Sequence, residues 1–186
     1  LNTPGFDRLD FSALKVSLGG GMAVQRAVAE RWKQVTGNTL TQAWGLTETS
    51  PAACINRFDE PEFNGSIGLP ISSTIVTIRD DDGNVLPVRQ SGEICVEGPQ
   101  VMRGYWNRQD ETDKVMIDGR ILRTGDIGYM DEQGYVFIED RKKDMILVSG
   151  FNVYPNEVEG VVVTHPGVLE VAAVAQPDER AGEIVA

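Results

Sequence analysis

Residues 13–46 of the chain, ALKVSLGGGMAVQRAVAERWKQVTGNTLTQAWGL, contain the pattern that decides the fold class. A short apolar run ends in Gly19, Gly20 and Gly21, apolar residues then recur at helical spacing, and a second short apolar run ends at Trp44. Two strands joined by a helix are typical of a parallel β-α-β unit, which binds ligands at the carboxyl ends of its strands. The stretch therefore predicts an α/β fold with a ligand-binding edge after each strand.

The pattern of the sequence changes after residue 60. Over residues 61–139, short β-branched runs alternate with clusters of turn residues, of which DDDGN at 80–84 is a strong hairpin signal. We predict a small antiparallel barrel or sandwich in this stretch, with one short helix at 109–116. Residues 1–60 and 61–139 would then be two pieces of one larger unit, 1–139.

A second, smaller unit is predicted from residue 140 onward. The charged run DRKKD at 140–144 has the composition of a linker, and the residues after it predict a strand, a helix at 155–164 and a strand at 168–175. This order suits the beginning of a small α+β domain over residues 140–186. Because the chain begins without Met and ends within a predicted strand, we expect it to be part of a longer polypeptide.

The composition excludes some classes of protein. The chain carries 17 Lys and Arg against 28 Asp and Glu among its 186 residues, a net charge of −11. Such an acidic balance repels phosphate backbones, so we expect no nucleic-acid partner, although a nucleotide site needs only a few local donors. The two cysteines lack metal-ligand spacing and indicate a reducing compartment. No apolar run approaches the roughly 18 residues of a membrane span.

The segment after the second predicted strand, WGLTETSP at 44–51, could carry a nucleotide. Trp44 offers a flat apolar face for a base, and Gly45 permits close approach of the backbone. Thr47 has a hydroxyl that could bind a phosphate, and Glu48 has the hard oxygens that Mg²⁺ prefers. The same residues also suit a strand-to-loop turn in which Thr47 caps a helix. These residues alone leave both interpretations open.

Other candidate residues also have two interpretations. The glycines at 19–21 either admit a ligand close to the backbone or form a flexible turn. Asp126, which follows a glycine, suits either the two hydroxyls of a ribose or an Asx-type turn. The run at 140–143 is either a solvated charge cluster or a hinge with Arg141 facing a nucleotide. We interpret His165, the only histidine, as structural.

The order of seven segments resembles that of the adenylate-forming superfamily, which comprises acyl-CoA synthetases, adenylation domains and luciferases. The segments are GGGM (19–22), WGLTETSP (44–51), GSIGLP (65–70), GEICVEGPQVMRGYW (92–106), TGDIG (124–128), GYVFIEDRKKDMILVSGFNVYPNEVE (134–159) and HPGVLEVAAV (165–174). The resemblance covers nearly the whole chain. The run from RTGDIG to DRKKD is similar to that of bacterial long-chain fatty-acid–CoA ligases.

This resemblance implies a two-step reaction, in which a fatty acid attacks the α-phosphate of MgATP and coenzyme A then attacks the acyl-adenylate. It implies ATP, Mg²⁺, coenzyme A and a fatty acid as ligands, and a cytoplasmic enzyme. Transient contact with the inner face of the cytoplasmic membrane and a homodimer of the full-length protein are left open. Residues 1–139 would be the C-terminal part of the large AMP-binding domain, and 140–186 would be the hinge and the start of the small C-terminal domain.

The resemblance also implies roles for individual residues. Thr47 would hold the AMP phosphate and Glu48 the Mg²⁺, and these two would be the catalytic residues. Gly19, Gly20 and Gly21 would lie beside the adenine and acyl group, and Trp44 and Gly45 would lie against the nucleotide. Asp126 would bind the ribose with Arg141 beside it, and Lys143 would reach towards the nucleotide. Gly150 and Phe151 would line the pantetheine tunnel, and Asp140 would be the hinge.

Some features depart from the pattern of the superfamily. The phosphate loop expected before Leu1 and the lysine expected after Ala186 are absent, so we expect the 186 residues alone to lack ligase activity. The segment GRILR at 119–123 differs from the usual Gly-Trp-Leu-His. An adenylation module of a peptide or polyketide synthase, or an aryl-CoA ligase, would share the nucleotide residues and is the alternative enzyme. A non-catalytic nucleotide-binding module is the alternative of another class.

Overall fold

The computed structural model describes residues 1–22, 24–165 and 167–186. Pro166, which belongs to the motif at 165–174, lies outside the described residues. The helices are α1 (Arg26–Thr36), α2 (Gln109–Val115) and α3 (Pro155–Val162). The strands are β1 (Ser17–Gly19), β2 (Leu40–Gly45), β3 (Ala52–Ile55), β4 (Leu69–Pro70), β5 (Ile75–Arg79), β6 (Gly92–Glu97), β7 (Met116–Ile117), β8 (Ile121–Met130), β9 (Val136–Arg141), β10 (Ile146–Val148), β11 (Phe151–Val153), β12 (Ala175–Asp178) and β13 (Gly182–Val185).

The first sheet has the order β1-β2-β3-β4, and β1 and β2 run parallel with α1 between them in the chain. The predicted β-α-β unit is therefore confirmed. Its first strand is shorter than predicted, because β2 begins at Leu40, which pairs with Ser17, and no strand among the described residues pairs with 13–16. Trp32 of α1 donates a hydrogen bond from Nε1 to Ser17 Oγ at 2.9 Å, and this bond fixes the helix against β1.

The second sheet is antiparallel, with the order β5-β6-β8-β7 and with β9 paired to β8. This confirms the predicted antiparallel β stretch and the short helix α2. The turn at 80–84 also forms, since Asp80 N donates to Asn84 O at 3.0 Å. Its returning arm pairs only through an isolated bridge between Val85 and Arg79.

The two sheets share one hydrophobic core. Its fully or nearly fully buried members come from both sheets and the connection between them: Ala53, Cys54, Ile67, Val76, Ile78, Ile94, Val96 and Val136. The connection is tight at Gly68, whose carbonyl accepts from Val136 N at 3.0 Å. A Cβ on Gly68 would lie 2.0 Å from the carbonyl carbon of Ile55, so only glycine fits there. The pieces 1–60 and 61–139 therefore pack against each other.

A third sheet, with the order β11-β10-β13-β12, forms with α3 the α+β unit predicted for the C-terminal part. Two boundaries in this region were predicted wrongly. The proposed linker at 140–144 begins too early, because β9 runs through Arg141 and pairs Asp140 with Ile127 of β8. The predicted strand at 168–175 is absent apart from its last residue. The amide of Ala173 donates to Glu159 Oε1 of α3 at 2.8 Å instead of to a neighbouring strand.

The backbone is so closely packed at Gly45 that a side chain there should destabilise the fold. The register of β2 and β3 shifts between Trp44 and Gly45, and there a Cβ would lie 1.7 Å from Pro51 O. Gly45→Ala should therefore lower the free energy of unfolding of the full-length protein by about 3 kcal/mol or more, because backbone must move. Gly160→Ala is the matched control, because a Cβ added to this helical glycine would meet no atom within 4 Å outside its own helix backbone. Equal urea midpoints for the two variants would contradict this account.

Candidate nucleotide site

Asp126 joins two other predicted site residues that the structure brings into contact with it. Its carboxylate is on β8 and is only 3% exposed. Oδ2 accepts a hydrogen bond from Trp44 Nε1 at 2.9 Å, and Oδ1 pairs with Arg141 Nε at 2.9 Å. Three residues singled out in the sequence, from three different strands, are thus in direct contact. Burial raises the pKa of Asp126, and the hydrogen bond from Trp44 and the charge of Arg141 oppose that rise.

The turn after β2 presents Thr47 and Glu48 on a short 3₁₀ helix, Thr47–Thr49. Buried Thr49 holds this turn, since its Oγ1 accepts from Leu46 N at 2.9 Å and lies 2.7 Å from Pro51 O. The Thr47 side chain is exposed, and Glu48 is half-buried. Glu48 Oε1 accepts a hydrogen bond from Tyr105 Oη at 2.7 Å. The structure thus leaves the Thr47 side chain open to solvent and orients the Glu48 carboxylate.

A cavity of about 350 Å³ lies between this turn and the second sheet. Its lining combines acidic, basic and apolar side chains with the backbone before Asp126: Leu46, Glu48, Glu93, Tyr105, Lys114, Val115, Leu122, Arg123, Thr124, Gly125 and Lys142. Of the residues singled out beforehand as site residues, only Glu48 is among them. The size and mixed polarity of the cavity suit part of a small polar ligand.

Lys142 and Glu93 form an ion-pair network on the cavity wall that the sequence reasoning missed. Lys142 Nζ lies 2.6 Å from Asp81 Oδ1 and 3.4 Å from Glu93 Oε2. Buried Glu93 also pairs with Arg123 at 3.1 Å and accepts from Gly125 N at 3.1 Å. The hydrogen bond with Asp81 raises the pKa of Lys142, and Lys142 in turn lowers the pKa of Asp81. The available signal was a carboxylate directly before the apolar run of β6, at the alternate position to Cys95 and therefore on the same face of the strand.

Other predicted site residues lie outside this cavity. Within the described part of the chain, exposed Lys143 makes no hydrogen bond or ion pair. Phe151 is 76% exposed and begins β11 of the third sheet, directly after Gly150. Asp140 is buried, and its Oδ2 accepts from Asn156 N in the first turn of α3 at 3.0 Å. Asp140 therefore ties the second sheet to α3.

The predicted site glycines differ in how closely neighbouring atoms approach them. Gly45 is required by the 1.7 Å approach of Pro51 O. A Cβ on Gly20 would lie 3.1 Å from Ala43 O, so this residue lets the loop after β1 run close to β2. Gly19 is similarly close to the Val24 side chain, at 3.0 Å. Gly21 has a φ of 84°, a left-handed conformation that favours glycine, and open space around it.

The donors suit a metal ion only if a substrate supplies most of its ligands. Among the described residues, no group of three or more His, Cys, Asp or Glu side chains could hold a metal ion. Mg²⁺ is commonly held by one or two carboxylates, with phosphate oxygens and water completing an octahedron. The carboxylate of Glu48, at the edge of the cavity, fits that requirement.

The two cysteines are unsuited to nucleophilic catalysis. Both are buried, and burial raises the pKa of the Cys54 thiol to about 12 and that of the Cys95 thiol to about 11. A thiol with such a pKa stays protonated at neutral pH and is a poor nucleophile. An acyl thioester formed here would therefore need a thiol from outside the chain.

Comparison with known proteins defines the class to which this fold and site belong. The model of the family described as AMP-binding enzyme matches residues 1–106, so the chain belongs to that family. A long-chain-fatty-acid–CoA ligase of Escherichia coli O6:H1 is 57% identical over 185 residues, which cover 100% of this chain and 33% of that protein. The ligase of Bacillus subtilis is 41% identical, with the same coverage of both chains. The chain thus spans about a third of the length of these curated relatives.

Solved structures show the same fold. ATP-bound MatB from Rhodopseudomonas palustris superposes with a TM-score of 0.90 at 32% identity, over 99% of this chain and 37% of that one. The o-succinylbenzoate CoA synthetase of Bacillus subtilis, in complex with its acyl-adenylate intermediate, gives a TM-score of 0.84 at 34% identity, over 94% of this chain and 36% of that one. The described residues include no helix that is long and apolar enough to span a membrane.

Proposed function

We propose that the full-length protein is an AMP-forming fatty acyl-CoA ligase, which converts a fatty acid, ATP and coenzyme A to acyl-CoA, AMP and diphosphate through an acyl-adenylate. The contact of Asp126 with Trp44 and Arg141 is the observation that carries the proposal. It supplies a buried, oriented carboxylate beside an aromatic side chain and a cation, as a nucleoside phosphate requires. The 57% identity to a fatty-acid ligase over the whole chain supports the substrate class.

In this proposal Asp126 binds the two ribose hydroxyls. Oδ2 accepts one hydrogen bond from Trp44, Oδ1 forms an ion pair with Arg141, and each oxygen retains a lone pair for a hydroxyl. A charged acceptor strengthens such bonds. Trp44 and Arg141 fix the carboxylate in position, so little further entropy is lost in orienting it when the nucleotide binds.

Thr47 and Glu48 act on the phosphates in the same proposal. The exposed Thr47 hydroxyl would donate to the α-phosphate, and Glu48 would hold Mg²⁺ through a carboxylate oxygen. When bound, Mg²⁺ neutralises charge on the phosphate oxygens and so favours attack by a carboxylate. The residues of this chain position the nucleotide and form no covalent bond to it.

We place the pivot between the large and small domains after Lys142, not at Asp140. Strand β9 holds Asp140 and Arg141 in register with β8, and the amide of Lys142 donates to Gly125 O at 2.8 Å. Lys143 makes no hydrogen bond among the described residues, and it lies in a turn that Asp144 N closes by donating to Arg141 O at 3.0 Å, beyond the last residue that β8 holds. The fit to ATP-bound MatB, with a TM-score of 0.90, is better than the fit to its apo form, with 0.78. This supports an ATP-binding arrangement of the domains here.

Rotation about this pivot would carry the third sheet, with Gly150 and Phe151, to the nucleotide for the second step. There they would line the path of the pantetheine arm. The open space around Gly150 and the exposure of Phe151 leave both free to take up that role. We further propose a cytoplasmic enzyme, in keeping with its soluble substrates ATP and coenzyme A.

The test is a product assay on the full-length protein. Long-chain fatty acids, benzoate-type acids and acyl-carrier protein as acceptor are compared, with separation of AMP from ADP. We expect acyl-CoA and AMP in equal amounts, with fatty acids preferred. Preference for an aryl acid would favour the aryl-CoA ligase. Transfer of the acyl group only to a carrier protein would favour a fatty acid–[acyl-carrier-protein] ligase. A relative from Streptomyces coeruleorubidus that is 42% identical has that name.

A further inference from the structure

The loop between β6 and α2 holds Glu48 at two points. Met102 N donates to Glu48 O at 2.8 Å, which fixes the backbone of the turn. Tyr105 Oη donates to Glu48 Oε1 at 2.7 Å, which fixes the side chain. Within the described residues Oε2 accepts no hydrogen bond. One oxygen of Glu48 is therefore occupied and the other is available at the cavity.

Tyr105 is itself held in place by α2. Its amide donates to Thr112 Oγ1 at 2.9 Å, and Thr112 is buried. Gly104 has a φ of 149°, and a Cβ there would lie 2.9 Å from Thr112 Oγ1, so this loop packs tightly on the helix. The backbone of Tyr105 is therefore fixed on α2, which holds its phenol within hydrogen-bond distance of Glu48 Oε1.

We propose that Tyr105 is a positioning residue that orients the Glu48 carboxylate so that a single oxygen faces Mg²⁺. Mg²⁺ demands near-octahedral geometry, and a carboxylate held on one side offers one directed ligand instead of a freely rotating pair. The inference rests on the proposed role of Glu48 and adds to it a second residue, from a loop distant in sequence. Tyr105 is 37% exposed, so we expect an effect at or below the lower end for a hydrogen bond to a charged group.

The experiment compares Tyr105→Phe with Tyr135→Phe in the full-length protein. Tyr135 donates to Glu60 in the same type of phenol–carboxylate pair, away from the cavity. Calorimetry measures the Kd of MgATP and, separately, of AMP without metal. We expect Tyr105→Phe to weaken MgATP binding about threefold to tenfold and to change AMP binding less than about twofold. Tyr135→Phe should change neither, because it removes the same kind of bond elsewhere.

Glu48→Gln and the double variant Glu48→Gln/Tyr105→Phe complete the test. If Tyr105 acts through Glu48, adding Tyr105→Phe to Glu48→Gln should weaken MgATP binding less than about twofold further. The positioning role alone would be refuted if Tyr105→Phe weakened the binding of MgATP and AMP equally. It would also be refuted if Tyr105→Phe left MgATP binding unchanged while Glu48→Gln weakened it. Unchanged MgATP binding in Glu48→Gln would refute the metal role of Glu48 as well, so the two failures are distinguishable.

Discussion

Asp126→Asn in the full-length protein is expected to lower kcat/KM for ATP about 100-fold, with most of the loss in KM. The substitution keeps the size of the side chain but removes the charge that pairs with Arg141 and would accept from two ribose hydroxyls. Each hydrogen bond to a charged group contributes about 1.5–3 kcal/mol, and Asn retains one acceptor oxygen, so the loss of one bond at the upper end of this range accounts for a change of this order. Initial rates at varied ATP concentration measure it.

Asp7→Asn is the control, because Asp7 is exposed in a short 3₁₀ turn near the start of the chain. It should leave kcat/KM unchanged. Asp126 is buried against Trp44, so the thermal unfolding of the variant must be recorded as well. A folded Asp126→Asn protein with the KM for ATP of the unmodified protein would show that this carboxylate does not bind the nucleotide.

Glu48→Gln is expected to lower kcat for acyl-adenylate formation about 100-fold to 1000-fold, the range seen when one group that stabilises transition-state charge is removed. The amide is neutral and a poor ligand for Mg²⁺. We also expect the Mg²⁺ concentration for half-maximal rate to rise. Single-turnover formation of acyl-adenylate at varied Mg²⁺ measures both effects.

The control for Glu48→Gln is Glu60→Gln, because Glu60 accepts from Tyr135 as Glu48 accepts from Tyr105. Loss of the Glu60 carboxylate should leave both kcat and the Mg²⁺ dependence unchanged. If Glu48→Gln reduced kcat with an unaltered Mg²⁺ dependence, Glu48 would act on the turn rather than on the metal.

Periodicity in the sequence predicted the elements whose partners are close in the chain. The β-α-β unit and α2 fall into this group, since their local patterns decide them. The wrong boundaries have long-range causes. Charged Asp140 and Arg141 have the composition of a linker, yet both belong to β9 because β8 offers partners for them. The apolar run at 168–174 looks like a strand, but among the described residues only Val174 pairs in this way, exchanging backbone hydrogen bonds with Ala186.

The site shows the same division. The resemblance placed Arg141 beside Asp126 but gave no contact of either with Trp44, because the hydrogen bond from Trp44 to Asp126 joins residues far apart in the chain. Gly45 was assigned to the nucleotide, whereas the immediate need for glycine is the approach of Pro51 O. No local pattern could show which backbone atom lies beside a given glycine. The role of Tyr105 was not predicted, because it depends on a hydrogen bond to Glu48, which lies 57 positions earlier in the chain.

The most direct test of the central claim is the exchange of labelled diphosphate into ATP by the full-length protein, without coenzyme A. If the protein forms an acyl-adenylate, exchange should require a long-chain fatty acid and Mg²⁺, and Asp126→Asn should suppress it. Formation of AMP should accompany coenzyme A addition. A protein that binds ATP but shows no fatty-acid-dependent exchange, or that releases ADP instead of AMP, would contradict the account.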